Sequence, residues 1–456
     1  MPPPSPSPTA PPTPWGSAPA SRSSPSRSDS RCPRDPLHDH LPLCQSLSGR
    51  DLTGDHRHVT PQAFYRDPYP LYAEARRTRG LTFVPELDAW LVSRREDVRE
   101  VLSKPEQFSS AGALRPDYLP GKAALSELVK GFGGMQAVLG ADGDAHRRLR
   151  RPLTRGLSPA RVAAVLPFVT ERAEALIGSF ASDGQVEWMD AYARPLPADV
   201  IGHLIGLDPA DVPGAIRGAQ QAESLVFTEL TEAGQVEAAR EIVTLQHLLD
   251  GYVRARRRAP RDDLFTEMVR GLAPGSEDLT LDQRREIVSN VQNLLLAGHL
   301  TTTALLGTVM LNLLRDRRQW ALLCEQPRLI PAAIEEAARF EAPIQGFRRT
   351  VTTDVTLGET ELHADDVVFI SFGSAGRDAD ADLRPDEFDI SRQAFRHLSF
   401  GHGPHGCPGS QIAKEQVRIT LEILIRDLPG LRLARTDVTM VPTLIHRSPE
   451  ALFLAW

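Results

Sequence analysis

One thiol set in a glycine-built turn is where chemistry concentrates in this sequence. The segment Phe400-Gly401-His402-Gly403-Pro404-His405-Gly406-Cys407-Pro408-Gly409 places four glycines and two prolines around Cys407. Such a composition makes a tight turn whose backbone can approach a partner closely. A helical pattern follows from Ser410 through Arg426, so Cys407 stands at a helix N-terminus. There the helix dipole and free N–H groups favour a thiolate. A thiolate with room for a flat partner suggests the proximal ligand of a haem iron. The competing role for a lone cysteine is that of a small buried hydrophobe.

The second candidate is a long apolar helix that must cross the whole fold. From Leu281 to about Asp316, apolar residues recur at Ile287, Val291, Leu294, Leu295, Leu305, Val309 and Leu313. At its middle stand Ala297 and Gly298, followed by Thr301, Thr302 and Thr303. Glycine and β-branched hydroxyl residues are poor choices for a helix interior. Two readings are open: threonines back-bonding inside a closely packed helix, or a local distortion opened for a ligand.

The remaining pattern predicts a mostly α protein with small β-sheets. A helix runs from the Asp67–Tyr72 segment to about Thr78. Strands are expected at Leu81–Val84 and Ala89–Val92, and Ser93 should cap a helix bearing Val98, Val101 and Leu102. From about Asp142 to Asp427 most segments are helical, with breaks expected at Pro152, Pro159, Pro209 and Pro274. Strand-like pieces return at Val351–Leu357, Val367–Ser371 and Thr439–Ile445. No strand–helix alternation and no repeat of 20–50 residues argue for a Rossmann fold, barrel or solenoid.

Composition narrows the function classes. The 456 residues carry 52 Lys+Arg against 59 Asp+Glu, a net charge of −7. An acidic balance argues against nonspecific nucleic-acid binding. Cys32, Cys44, Cys324 and Cys407 form no closely spaced pair, which argues against a disulfide scaffold or structural zinc. Residues 1–36 hold 12 of the 38 prolines, so residues 1–45 are expected to be a disordered Pro/Ser-rich tail ahead of one large domain over 46–456. Neither a secretory signal nor a membrane anchor is recognised in that tail, and a cytoplasmic, monomeric protein with no membrane or nucleic-acid partner is expected.

The loop around Cys407 resembles the haem-binding loop of the cytochrome P450 family, Phe-Gly-x-Gly-x-His-x-Cys-x-Gly, and meets every fixed position. The resemblance extends over about residues 60–456. Glu336-Ala337-Ala338-Arg339 resembles the family's Glu-x-x-Arg helix, and Phe388–Arg392 the later loop whose arginine completes a buried ion network. His146, Arg150, Arg349 and His405 resemble the groups that hold the haem propionates. What the resemblance implies is a single domain with the long helix lying over haem b (iron protoporphyrin IX), with Cys407 as axial ligand of the iron. Phe400, Gly401 and Gly409 shape its loop, and a structural network joins Glu336, Arg339 and Arg392.

The implied activity is that of a monooxygenase acting with O2 and electrons from a ferredoxin and its reductase. The family's central-helix pattern, Ala/Gly-Gly-x-acid-Thr, is met by Ala297, Gly298 and Thr301, but Leu300 stands in the acid position. Leucine can neither donate nor accept a proton. Either a neighbour such as His299 or Thr302, an ordered water or the substrate supplies protons, or the chain performs non-oxygenating chemistry such as cyclisation, coupling or rearrangement. By family position Leu225, Val226, Phe227, Leu296, Leu300, Ile344, Phe347 and Leu444 line an apolar substrate pocket. A hydrophobic small molecule of secondary metabolism (terpenoid, aromatic or polyketide-like) is therefore expected as substrate.

Overall fold

A computed structural model of the chain describes residues 61–378, 384–392, 396–443 and 445–456. The expected tail over residues 1–45 and the pocket residue Leu444 lie outside the described residues. The architecture is mostly helical with small sheets, as the periodicity predicts.

The helix Leu281–Arg315 is the axis of the fold. Its 35 residues extend about 52 Å at 1.5 Å per residue. Thr280 and Gln283 form a reciprocal cap at its start, each side chain accepting from the other's backbone N–H. Every side chain from Ala304 to Leu314 is buried, which explains why this stretch shows no polar stripe. The helix would pass for a membrane span by length and composition alone, yet 67% of its most apolar window is buried inside the fold. The helices Pro195–Ile205, Val212–Phe227 and Glu232–Arg258 pack on one part of it, and Ile330–Phe340 on another.

A five-stranded sheet lies beside this helical body, in the order Thr82–Val84, Ala89–Val92, Val367–Ser371, Gly346–Val351, Phe108–Ser109. Ala89–Val92 runs parallel to Val367–Ser371 with Leu91 opposite Phe369, and Gly346–Val351 runs antiparallel to it with Arg349 opposite Val368. Strand alternation puts Phe347 and Arg349 on the same face, and both border the central cavity.

Local expectations fail where distant residues intervene. The helix Arg95–Ser103 begins after Arg94, with no side-chain cap from Ser93; its first N–H is taken by Asp378 Oδ2 at 2.8 Å, from far along the chain. Pro152 sits inside the helix Gly143–Gly156 rather than breaking it. A Cβ on Gly271 would lie 2.8 Å from the Pro152 ring, so close packing of the helix Leu264–Leu272 holds the turn that lacks a hydrogen bond. Val351–Leu357 divides between two sheets, and among the described residues of Thr439–Ile445 the β-pairing is the isolated bridge Met440–Pro449.

Candidate functional site

Backbone hydrogen bonds set the cysteine turn. Gly401 N donates to Leu398 O at 2.8 Å and Cys407 N to Phe400 O at 2.7 Å. Gly401 and Gly403 have φ of 71° and 66°, a region that disfavours side chains. A Cβ on Gly403 would also stand 2.5 Å from Leu102 O, so the loop lies directly on the end of the helix Arg95–Ser103. Gly409 leaves the thiol side open, since a Cβ there would be 4.0 Å from Cys407 Sγ.

The thiol opens onto a cavity of about 570 Å³, within the range of small-molecule sites. On the cysteine side its wall includes Phe400, Gly401, His405, Cys407 and Gly409; on the far side it includes Ala297, Gly298, Thr301 and Thr302 of the central helix. Phe227, Leu296, Ile344 and Phe347 contribute apolar wall as expected, together with Val226. Leu225 instead packs with Ala238 and Ile242 in a separate small core.

Burial decides the electrostatics here. It raises the Cys407 thiol above its ordinary value, although the N–H groups of Gly409 and Ser410 and the charge of Arg150 pull the other way. A cation held against the sulfur would add to these N–H groups in favouring a thiolate. Arg349 is 3% exposed and has no carboxylate within ion-pair distance among the described residues; burial lowers it to about 10. Arg150 donates to Gly406 O. His405 contacts Ser110 Oγ at 3.0 Å, and its ring lies 4.2 Å from that of His146. Burial, with His146 and Arg349 alongside, lowers His405 to about 4. His146 borders an adjoining depression rather than the main cavity, and its buried Nε2 has no partner. Two guanidiniums on the cavity wall and an orphaned imidazole nitrogen in the adjoining depression form a donor set that fits a bound anion.

The central helix runs without interruption through Ala297–Thr303, so the opened distortion is not found. Thr301 Oγ1 donates to Ala297 O at 2.7 Å. Gly298 is explained by packing, since a Cβ there would meet Ile201 Cδ1 at 2.6 Å. Leu300 is half-buried and does not border the cavity, unlike Thr301. His299 points away as well, with Nε2 bonded to Arg194 O at 3.1 Å.

Burial lowers His299 from 6.5 to about 4. Between those values the unfolded chain binds a proton that the folded chain does not. Its stability contribution is complete above pH 6.5 and is lost as pH falls toward 4. His299→Leu is expected to show a urea midpoint that varies less over this interval than the parent's. Arg194, Glu223 and His446, which also act on His299, remain in both proteins, so an unchanged slope would contradict the assignment.

Behind the cysteine loop, Arg339 makes two bonds to Glu336, at 2.6 and 2.8 Å, and three to the carbonyls of Gly376, Pro385 and Glu387. Arg392 Nε reaches Glu336 Oε1 at 3.2 Å. A Cβ on Gly376 would be 2.2 Å from Arg339 O, which accounts for glycine there.

Several site groups escaped the sequence reading. Asp142, at the start of the helix Gly143–Gly156, turns its carboxylate to Ser109 Oγ and Ser110 N rather than to its own helix. Glu223 and His446 join across the cavity wall. Only the helical face shared by Glu223, Val226 and Phe227 could have suggested the first of these.

A family model described as Cytochrome P450 matches residues 267–429. The chain is 31% identical to Cytochrome P450 107B1 of Saccharopolyspora erythraea, over 82% of this chain and 90% of that one. It is 35% identical to the cyclomarin C epoxidase CymV of Salinispora arenicola, over 79% and 87%. A solved structure of cytochrome P450 CREJ in complex with (4-ethylphenyl) dihydrogen phosphate superposes with a TM-score of 0.81 at 29% identity, covering 86% of this chain and 98% of that one.

Proposed function

Since this chain belongs to the cytochrome P450 family and is a monooxygenase of that family, we propose that it oxidises a hydrophobic small molecule of secondary metabolism, drawing electrons from a ferredoxin and its reductase. The observation that carries this reading is the placement of Cys407 across one cavity from Ala297, Gly298 and Thr301. The similarity to a cyclomarin C epoxidase supports a secondary-metabolite substrate.

The family implies a haem, which we take to be haem b, and the donor set fits it. Cys407 would hold the iron through sulfur, and Arg150, Arg349 and His405 would hold its carboxylates, with His146 behind them. When bound, the group supplies O2 activation and oxygen transfer. The protein's own share is positional. Phe227, Leu296, Ile344 and Phe347 exclude water and orient an apolar skeleton. Thr301, whose Oγ1 holds a proton now shared with Ala297 O, borders the cavity. Residues 46–456 act as one domain in this reading, in a monomeric cytoplasmic protein.

The partner follows from charge. Arg147, Arg151 and Arg155 are exposed on one rim of the depression beside His405, a surface suited to an acidic electron donor. Joint replacement Arg151→Glu and Arg155→Glu is expected to slow reduction by ferredoxin about tenfold at low salt, with the difference shrinking at high salt. Stopped-flow reduction rates check this, and salt-independent rates would count against this face.

Leu300 stands where the family places an acid, yet it does not border the cavity. Leu300→Glu is therefore expected to leave the product formed per electron pair unchanged. A measured rise in coupling would show that a carboxylate at this position reaches the cavity and passes protons.

The function itself is tested with haem-loaded protein and a panel of apolar metabolites, with and without O2 and a ferredoxin–reductase pair. Products that gain one oxygen atom and need both O2 and electrons are expected. Products of unchanged mass formed without either would replace monooxygenation by cyclisation, coupling or rearrangement, the reading that Leu300 favours.

A further inference from the structure

The wall of the cavity away from Cys407 carries one acid. Among the cavity-lining described residues Glu223 is the only carboxylate, and the guanidiniums of Arg150 and Arg349 gather on the cysteine side with the imidazole of His405. Glu223 lies on the helix Val212–Phe227, where the i+3 and i+4 positions Val226 and Phe227 also face the cavity. Val200, Ile201, Leu204 and Ala222 continue the apolar wall. A carboxylate in such surroundings is costly unless its oxygens are bonded.

Half of that requirement is met. Glu223 Oε1 accepts from His446 Nδ1, which must carry the proton because a carboxylate only accepts. Glu223 Oε2 and His446 Nε2 have no partner among the described residues. The two side chains are 20% and 15% exposed, and both border the cavity. Behind them His299 is close enough to interact with both, but its ring is already tied to Arg194 O.

We propose that Glu223, oriented by His446, is a substrate-recognition site that takes a hydrogen-bond donor, a hydroxyl or a protonated amine, carried on an otherwise apolar skeleton. This deepens the monooxygenase reading and rests on it. The free Oε2 supplies the acceptor, and the apolar wall strengthens the bond by keeping water away. A substrate without a donor would enter the cavity and leave Oε2 unpaired, so selection works against it as well as for its rival.

The test compares one skeleton in three forms: phenylcyclohexane, 4-phenylcyclohexanol and N,N-dimethyl-4-phenylcyclohexylamine, the tertiary amine being chosen to discourage direct ligation of iron. Affinities are measured calorimetrically on haem-loaded protein, parent, Glu223→Gln and Glu223→Leu. The parent is expected to bind both donor probes about tenfold or more tightly than the hydrocarbon. Glu223→Leu should remove that preference, weakening the donor probes and raising hydrocarbon affinity, because no Oε2 is then left unpaired. Glu223→Gln keeps the shape and should weaken the amine more than the alcohol, which serves if the leucine variant does not fold.

Equal affinities for the three probes in the parent would overturn the proposal. So would a uniform loss of all three in the variants, which marks a purely structural latch between Glu223 and His446. Failure of both donor probes to bind protein with a normal thiolate-type CO spectrum would overturn it too. An abnormal CO spectrum in the parent would remove the monooxygenase reading, and this proposal with it.

Discussion

Cys407→Ser is expected to abolish the thiolate-type Soret band of the reduced CO complex and to bring oxygenated product down to background. The change is conservative in volume, and a serine oxygen can still accept from the N–H groups of Gly409 and Ser410 that face the sulfur. Cys407 N still donates to Phe400 O, Gly401 N still donates to Leu398 O, and the glycines keep their conformations. Folding should therefore survive while the ligand chemistry is lost. A serine hydroxyl is far less acidic than a thiol and a much poorer electron donor to iron. Desolvation works against an anion at this position, so a cation held against the sulfur would favour the thiolate. The reduced-CO spectrum and product yield measured on the same preparation decide the matter. A retained thiolate-type band would require another sulfur ligand and would dismiss Cys407 from that role.

Arg339→Ala is expected to cost about 3–5 kcal/mol of stability, the range for removing one partner of a buried pair. Arg339 is 1% exposed and Glu336 5%. The guanidinium satisfies two carboxylate oxygens and three carbonyls; its loss takes the main cation from buried Glu336 and leaves the carbonyls of Gly376 and Pro385 without it, while Arg392 still reaches Glu387 O. The segment carrying Pro385, Glu387 and Arg392 would lose its anchor beside the cysteine loop. Urea unfolding and haem content check this: both the midpoint and the bound haem should fall. Arg392→Ala should do less, because Glu336 would keep both bonds from Arg339. Equal midpoints for parent and Arg339→Ala would mean that the cluster contributes nothing net.

The contrast between these two sites shows how differently residues reveal themselves. The turn around Cys407 is readable because its demands are local: four glycines and two prolines leave few backbone conformations, and the helix that follows explains the rest. The central helix is readable for a related reason. Its cap residues Thr280 and Gln283 and its long apolar run act within a few residues of one another. Glu336 and Arg339 share a helix face by spacing, but Arg392 enters their cluster only through a resemblance to a family motif, since no periodicity connects residues so far apart.

Other features depend on which segments meet. Pro152 stays helical because Gly271 lets a neighbouring helix pack on its ring. Gly298, open to either close helix packing or a ligand's approach by its sequence setting, is filled from the side by Ile201. Asp378 rather than Ser93 satisfies the start of the helix Arg95–Ser103. Leu300 carries a sequence departure but sits off the cavity wall, whereas Glu223 and His446, unremarkable in sequence and 223 positions apart, meet there. Sequence alone carried what backbone stereochemistry and short-range hydrogen bonding dictate: the cysteine turn, the long helix and the mostly α class. Tertiary packing decided which polar groups share the cavity and which are sealed behind it, because burial and partner choice arise only when distant elements close on one another.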